Sequence, residues 1–197
     1  MFGRKNKRKE KDKGKSKKQD IVDEGDSEAL RLLRANISNY YGYKNKEVRQ
    51  SSDIAFREHL LELLRNASDG MSKVHELLIH SQLITTWGLV GEIKKKLEKL
   101  RREVANTDYH KSTFFDIDDV EGPNGIDLSI LYLLEIEILD IAVDLKERVA
   151  KANTNLEEMM LENAEDDVKI LSSIVNSFEQ TLSDRNELIR AFEKMVL

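Results

Sequence analysis

The segment HELLIH at residues 75–80 is the part of this chain that most resembles a metal-binding motif. In a zinc-binding HExxH helix the two histidines are four residues apart and share one face. Here His75 and His80 are five residues apart, which turns their imidazoles about 140° from each other. The chain also has no cysteine, so thiolate metal sites, a cysteine nucleophile and disulfides are excluded. We predict no metal site, no catalytic site and no cofactor.

Glu135 is the residue whose position most suggests chemistry. At helical spacing it falls near the middle of the apolar arc of residues 126–152. A carboxylate there must be paired, hydrogen-bonded, protonated or close to water, because an unpaired buried charge is very costly. We favour an ion pair or a hydrogen bond to a neighbouring helix. One alternative is a functional carboxylate in a site with His75 and His80, and another is a different helix edge.

Arg185 is the matching exception in the last predicted helix. Apolar residues recur at heptad spacing from Ala164 to Val196, and Arg185 alone interrupts them. Its side chain either reaches water along its apolar stem, pairs with Glu135 or another inward acid, or lies on an oligomer seam.

A strongly basic segment begins the chain. Residues 1–18 contain ten Lys or Arg and two acids, a net charge of +8, while the whole chain carries −5 and the other 179 residues therefore −13. Such a segment cannot bury enough apolar surface to fold, so we expect disorder. It is either a solubilising tail or a tether to an anionic membrane surface or nucleic acid. The candidate tether residues are Arg4, Lys5, Lys7, Arg8, Lys9, Lys11, Lys13, Lys15, Lys17 and Lys18.

Two aromatic groups are candidates for partner docking. Tyr40, Tyr41 and Tyr43 stand just before Lys44 and Lys46, a grouping that can stack bases and contact phosphate. We favour the alternative that they pack a connector against the core with their hydroxyls in water. Phe114 and Phe115 stand beside acids in a long predicted loop, and they either dock a partner or, as we favour, fold back over the end of the protein.

The composition predicts an all-α protein. Charged residues make up 35% of the chain and aromatic residues 6%, with a single proline, and no segment is typical of a strand. The apolar arc of 126–152 is wide enough to require more than one neighbouring helix. The run 128–145 approaches membrane-spanning length, but four acids interrupt it and favour a protein core.

Capping residues and glycines set the predicted helix boundaries. We expect a turn or sharp kink at residues 68–70, Ser-Asp-Gly, before a long helix. Gly88 and Gly91 lie inside that helix, where close approach of a neighbouring backbone or room for Trp87 would explain them. The predicted helices are 26–42, 52–67, 71–105, 126–152 and 154–197.

The turn before the last helix has two candidate positions. Thr154 and Glu157 form a capping-box pattern, which places the turn at residues 152–154. A turn near Asn163 is the alternative, and it would make the long helices more equal in length.

These observations predict an elongated antiparallel helical bundle with three long helices, two short N-terminal helices and coiled-coil-like heptads. We expect a disordered tail over 1–25 and one helical domain over 26–197 with a long loop at 106–125. The expected function is a non-enzymatic cytoplasmic scaffold or adaptor that binds a protein partner or itself through its helices, with no small-molecule substrate. The alternatives are a metal-binding protein or enzyme centred on Glu135 and a nucleic-acid-associated protein.

Overall fold

The described part of the chain is entirely helical. The computed structural model describes residues 27–107, 112–121 and 127–195, and these ranges contain five α-helices, one short 3-10 helix and no strand. The all-α prediction is therefore confirmed for these residues, whereas the ten tether candidates of residues 1–18 lie outside them. The helices are α1 (Glu28–Asn36), α2 (Lys46–His80), α3 (Ile84–Ala105), α4 (Leu128–Glu157) and α5 (Ala164–Met195), and the 3-10 helix is Thr113–Phe115.

Each of the four longer helices packs against two of the others. α2 packs against α3 and α4, and α5 packs against the same two helices. α2 and α3 run in opposite directions, because Trp87 Nε1 donates to the Leu78 carbonyl near their connection and Arg57 to the Val104 carbonyl far from it. Their connection therefore lies at one end of the protein.

α2 and α4 run in the same direction. Asn153 Nδ2 of α4 donates to the Gly70 carbonyl of α2 at 3.0 Å, and about one turn further along both helices Lys73 Nζ lies 2.6 Å from Glu157 Oε1. The α2–α3 and α4–α5 connections consequently lie at the same end of the protein. α1 packs on α4, and the 3-10 helix packs on α5 and α2.

Apolar side chains at three- and four-residue steps explain the helical packing. On α3 the apolar repeat is buried from Thr86 to Val104, whereas Ile79, which has the same spacing, is exposed on α2; the apolar positions of α5 are buried from Ala164 to Ile189. Val196, the last position of the α5 repeat, lies outside the described residues. The heptad side chains thus face a core formed within one chain.

The turn predicted at residues 68–70 is wrong, because α2 continues through it. Gly70 is instead a contact point, since a Cβ on it would lie 2.4 Å from Val149 Cγ1. The chain breaks at residues 81–83, where Gln82 adopts a left-handed φ of 58°. Nothing within 4 Å of Gly88 or Gly91 would meet a Cβ, so close packing does not explain those two glycines.

The turn predicted at residues 152–154 is also wrong, and the alternative near Asn163 is the better one. α4 continues to Glu157. Within it, Asn153 is buried and bonded to the Gly70 carbonyl, and Thr154 Oγ1 donates to the Ala150 carbonyl one turn earlier. The structure therefore has four long helices and one short one, not three and two.

The N-terminal boundaries differ as well. α1 begins after Ser27, which caps it as predicted, but ends at Asn36 and not near Gly42. α2 begins at Lys46 with Asn45 as its cap, whereas Ser52 was expected to lie near its start. None of the described helices combines the length and apolar character needed to cross a membrane.

Gly70→Ala should destabilise the protein, because its methyl group would overlap Val149. Overpacking typically costs about 1–3 kcal/mol, which exceeds the gain of up to about 1 kcal/mol in helix propensity. The matched control is Gly88→Ala, which adds the same methyl group without a clash and should be neutral or stabilising. Urea unfolding followed by circular dichroism measures both changes, and equal effects of the two substitutions would contradict the close approach at Gly70.

Candidate functional site

The candidate site is a hydrogen-bonded network around Glu135, which has no exposed surface. Arg185 of α5 donates to Glu135 Oε1 through Nε at 2.8 Å and through Nη2 at 2.6 Å. The Tyr43 hydroxyl donates to the same oxygen at 2.5 Å, and the Tyr40 hydroxyl donates to Oε2. The predicted ion pair between Glu135 and Arg185 is therefore present.

The network extends across the core to a second carboxylate. Arg185 Nη2 also lies 2.7 Å from Asp53 Oδ1 of α2, and Arg57 Nε lies 2.8 Å from Asp53 Oδ2. The Arg185 guanidinium stands over the Phe56 ring, 4.7 Å from its centroid. Two cations thus alternate with two carboxylates, so no buried charge in the chain of contacts lacks an opposite neighbour.

Tyr43 links this network to the connector between α1 and α2. Its backbone N–H donates to the Tyr132 hydroxyl at 2.9 Å, and its ring stacks on the Tyr132 ring with centroids 5.9 Å apart. Its carbonyl accepts a bond of 2.7 Å from Arg49 Nε. Tyr43 therefore has its hydroxyl, its backbone N–H and its backbone carbonyl all bound to fixed partners.

Arg49 fastens the described part of the long loop to the same region. The buried guanidinium donates through Nη1 to the carbonyls of Phe114 and Ile117 and lies 5.3 Å from the centroid of the Phe114 ring. Phe114 and Phe115 are buried, and their rings meet edge to face. This placement matches the favoured expectation that they fold back over the end of the protein, and it removes them from the surface needed for docking.

The connector tyrosines do not have the environment that the sequence suggested. Tyr40 and Tyr43 are buried with their hydroxyls bound to Glu135, so the expectation of hydroxyls in water is wrong for both. Tyr41 is half exposed and is the one member of the group that faces solvent. The Glu135 carboxylate explains the difference, because it accepts the hydrogen bonds that water would otherwise accept from the two hydroxyls.

Burial controls the ionisation of these groups. It raises the pKa of Glu135, while the positive charge of Arg185 and the hydrogen bonds from Tyr40 and Tyr43 oppose that rise. Burial and the charge of Glu135 raise the pKa values of Tyr40 and Tyr43 well above the ordinary value of 10.0. For Tyr132, burial is the main cause that raises the pKa to about 12.

The two predicted histidines are not part of the site. On α2, Asp53 lies at the same height in the bundle as Glu135. His75 is 22 residues further along this helix, about 33 Å from Asp53, and His80 is further still. His80 is exposed and His75 half-buried. The grouping of Glu135 with these histidines is therefore wrong. Among residues 27–107, 112–121 and 127–195, no group of three or more His, Asp or Glu is arranged to hold a metal ion.

Two members of the network were missed in the sequence. Asp53 falls at the predicted start of the second helix, since a Ser-Asp pair before an apolar run is typical of a helix start. Arg49 carries no distinguishing pattern, because its partners are backbone carbonyls far away in sequence. The helical period of α2 does indicate that Asp53 faces the core, since Asp53 and Phe56 lie on the same face as Leu60 and Leu63.

Arg185→Met should destabilise the protein by about 3–5 kcal/mol at pH 7, because it leaves Glu135 and Asp53 without their shared cation. Arg185 lowers the pKa of Glu135, so the substitution raises that pKa further. An acid whose pKa is raised in the folded state stabilises the protein at low pH, and this stability is lost as the pH rises. The destabilisation caused by Arg185→Met should therefore be smaller at about pH 4.5 than at pH 7.

Urea unfolding at both pH values measures this cost. Glu135→Gln and the double variant complete a mutant cycle, in which we expect the two costs to be strongly non-additive. Additive costs would contradict a direct pair.

The raised pKa of Tyr132 predicts a specific loss of stability at alkaline pH. The folded protein keeps the Tyr132 proton up to about pH 12, whereas the unfolded chain releases it near pH 10. Its contribution is complete below about pH 10 and is lost as pH rises, at up to about 1.4 kcal/mol per pH unit. Between about pH 9 and 11, wild type should lose more unfolding free energy than Tyr132→Phe. Tyr41→Phe, at an exposed site, is the control, and parallel curves for wild type and Tyr132→Phe would contradict the prediction.

Comparison with known proteins adds no assignment to this geometry. No protein-family model matches the chain, and no curated protein or solved structure matches it either. The function must therefore be inferred from the closed network around Glu135, from the outward surfaces of the helices and from the distribution of charge.

Proposed function

We propose that the protein is a non-enzymatic helical scaffold or adaptor that is held at an anionic surface by its basic segment. The charge asymmetry is the observation that carries this proposal. Residues 1–18 carry +8 and the rest of the chain −13, so the two parts favour opposite partners. We propose a cytoplasmic location, where the membrane leaflet is rich in acidic lipid.

The contacts of Glu135 support a structural role for the site. A general acid or base must reach the proton that it transfers in the substrate. Both Glu135 oxygens instead accept hydrogen bonds from the chain's own Tyr40, Tyr43 and Arg185, and the residue has no exposed surface. Such a network holds helices in one register, which is a property that a scaffold requires.

Protein–protein contacts would use the outward faces of the helices. The heptad residues of α3 and α5 are buried within the chain, which leaves them unavailable to a second copy. On α4, Ile130 and Leu133 are exposed apolar side chains on the outer face. A partner helix on this face is a more economical hypothesis than self-association through the heptads.

Acidic lipid is a better candidate than nucleic acid for the anionic surface. Single-stranded nucleic acid is commonly bound by aromatic side chains next to cations. Of the three connector tyrosines only Tyr41 is exposed, so the stacking surface suggested near Lys44 and Lys46 is reduced to one ring. The basic segment needs no such surface to bind acidic lipid, because attraction to the lipid charge is sufficient.

Substituting Lys5, Lys7, Lys9 and Lys11 by Gln tests the tether. At about 1 kcal/mol for each cation near the membrane, binding to vesicles containing phosphatidylserine should fall several-hundred-fold at low salt. The matched control replaces Lys94, Lys95, Lys146 and Lys151 of the helical body by Gln and should leave binding nearly unchanged.

Vesicle sedimentation at low and high salt measures both variants, and gel shifts with single-stranded DNA and RNA run in parallel. Equal loss in both variants would contradict the tether. Loss confined to nucleic acid would favour the nucleic-acid-associated alternative over the membrane.

A further inference from the structure

One end of the protein exposes apolar side chains on two adjacent connections, and we call this end the tip. The α2–α3 connection is flanked by Ile79, in the last turn of α2, and Ile84, the first residue of α3, which are 44% and 67% exposed. The α4–α5 connection carries Met159 and Met160, which are 69% and 43% exposed. Ile84 and Met159 are the most exposed of the large apolar side chains in the described part of the chain. An apolar surface at the outer end of a charged helical protein indicates a binding partner.

The backbone at the tip favours glycine over the residue that is present. Met159 has a φ of 59°, in the left-handed region where a side chain costs free energy and glycine does not. A methionine at such a position is not explained by the fold, because the side chain points into solvent. Its exposure therefore suggests that the side chain has a contact outside the folded core.

The charge around the tip identifies the chemistry of the partner. Residues 74–93 and 152–168, which form the tip, contain eight Asp or Glu and no Lys or Arg. At the borders, Lys73 pairs with Glu157 and Lys169 pairs with Glu165 and Asp166, so five of the eight acids pair with neither lysine. A partner for this surface must combine several cations with apolar side chains, and an anionic membrane is unsuitable because it would be repelled.

We propose that the chain's own residues 1–18 bind to the tip. This segment carries a net charge of +8, of which +5 lies in residues 1–13, and Met1 and Phe2 precede its cations. Residues 94–102 also combine cations with leucines, but they belong to α3, where Leu97 and Leu100 are buried in the core. The contact would hold the basic segment in competition with the anionic surface of the proposed function, but it does not depend on that function.

The length of the segment allows this contact within one molecule. Ser27, the first described residue, lines a small cavity with Leu128 at the start of α4. The 30 residues of α4 place its far end about 45 Å away. A chain of 13 residues spans that distance when extended, so residues before about residue 14 can reach the tip. Covalent attachment gives an effective concentration of about millimolar, which favours the same chain over a second copy at micromolar protein.

A spin label tests the proposal, and the absence of cysteine makes labelling simple. Asn6→Cys carries a nitroxide on the full chain, and the methionine methyl groups are isotopically labelled for NMR. At low salt the Met159 and Met160 signals should lose roughly half or more of their intensity, while buried Met71 of α2 should not. About 0.5 M salt should restore the signals.

Two variants test whether charge and apolar contact, and not only the nearness of the spin label, cause the broadening. Glu158→Gln with Glu162→Gln should reduce the broadening at least twofold, whereas Glu137→Gln with Glu147→Gln, the same charge change away from the tip, should not. Met159→Gly should reduce the broadening of Met160 while the midpoint of thermal unfolding stays equal or rises, because the left-handed φ is relieved.

A mixed sample identifies the occupant. Isotope-labelled chains without a spin label are combined with spin-labelled chains without isotopes, and we expect no broadening. Broadening in the mixed sample would replace the proposal by contact between two copies. Undiminished Met159 and Met160 signals in the spin-labelled chain at low salt would overturn binding at the tip altogether, whatever the vesicle experiment shows.

Discussion

A carboxylate inside the protein is the constraint on which the rest of the structure depends. An isolated buried charge would cost several kcal/mol or more, so Glu135 is compatible with folding only when its partners are in place. Those partners come from separate parts of the chain: two tyrosines from the connector before α2 and Arg185 from α5, which in turn binds Asp53 of α2. Forming the network therefore fixes the register of α4 against both neighbouring helices.

A second contact fixes the same register further along α2 and α4. The absence of a side chain at Gly70 admits Val149, and Asn153 then reaches the Gly70 carbonyl. From Asp53 to Gly70 is 17 residues and from Glu135 to Val149 is 14, so the two contacts lie at similar separations along both helices. Two parallel helices held at two points cannot slide past one another, which explains how a polar core contact coexists with one defined packing.

Periodicity predicted the network only where a residue broke a regular pattern. Glu135 and Arg185 stood out because each is a charge on an otherwise apolar face, and their pairing follows from the cost of leaving either alone. The contacts of Asp53 and Asn153 across the core did not follow from the sequence, because short polar side chains cap helices and also bond across the core. The sequence likewise does not separate Gly70, at a close contact, from Gly88, in open space, since the difference lies in a partner distant along the chain.

The polar network and the proposed contact at the tip lie at opposite ends of the molecule. The polar network, the Arg49 contacts and the buried rings lie at the end where α2 and α4 begin. The opposite end has exposed apolar side chains and a local excess of acids, neither of which contributes to the core. Because folding does not require an exposed methionine at a left-handed position, the tip is the part of the chain whose sequence is best explained by binding.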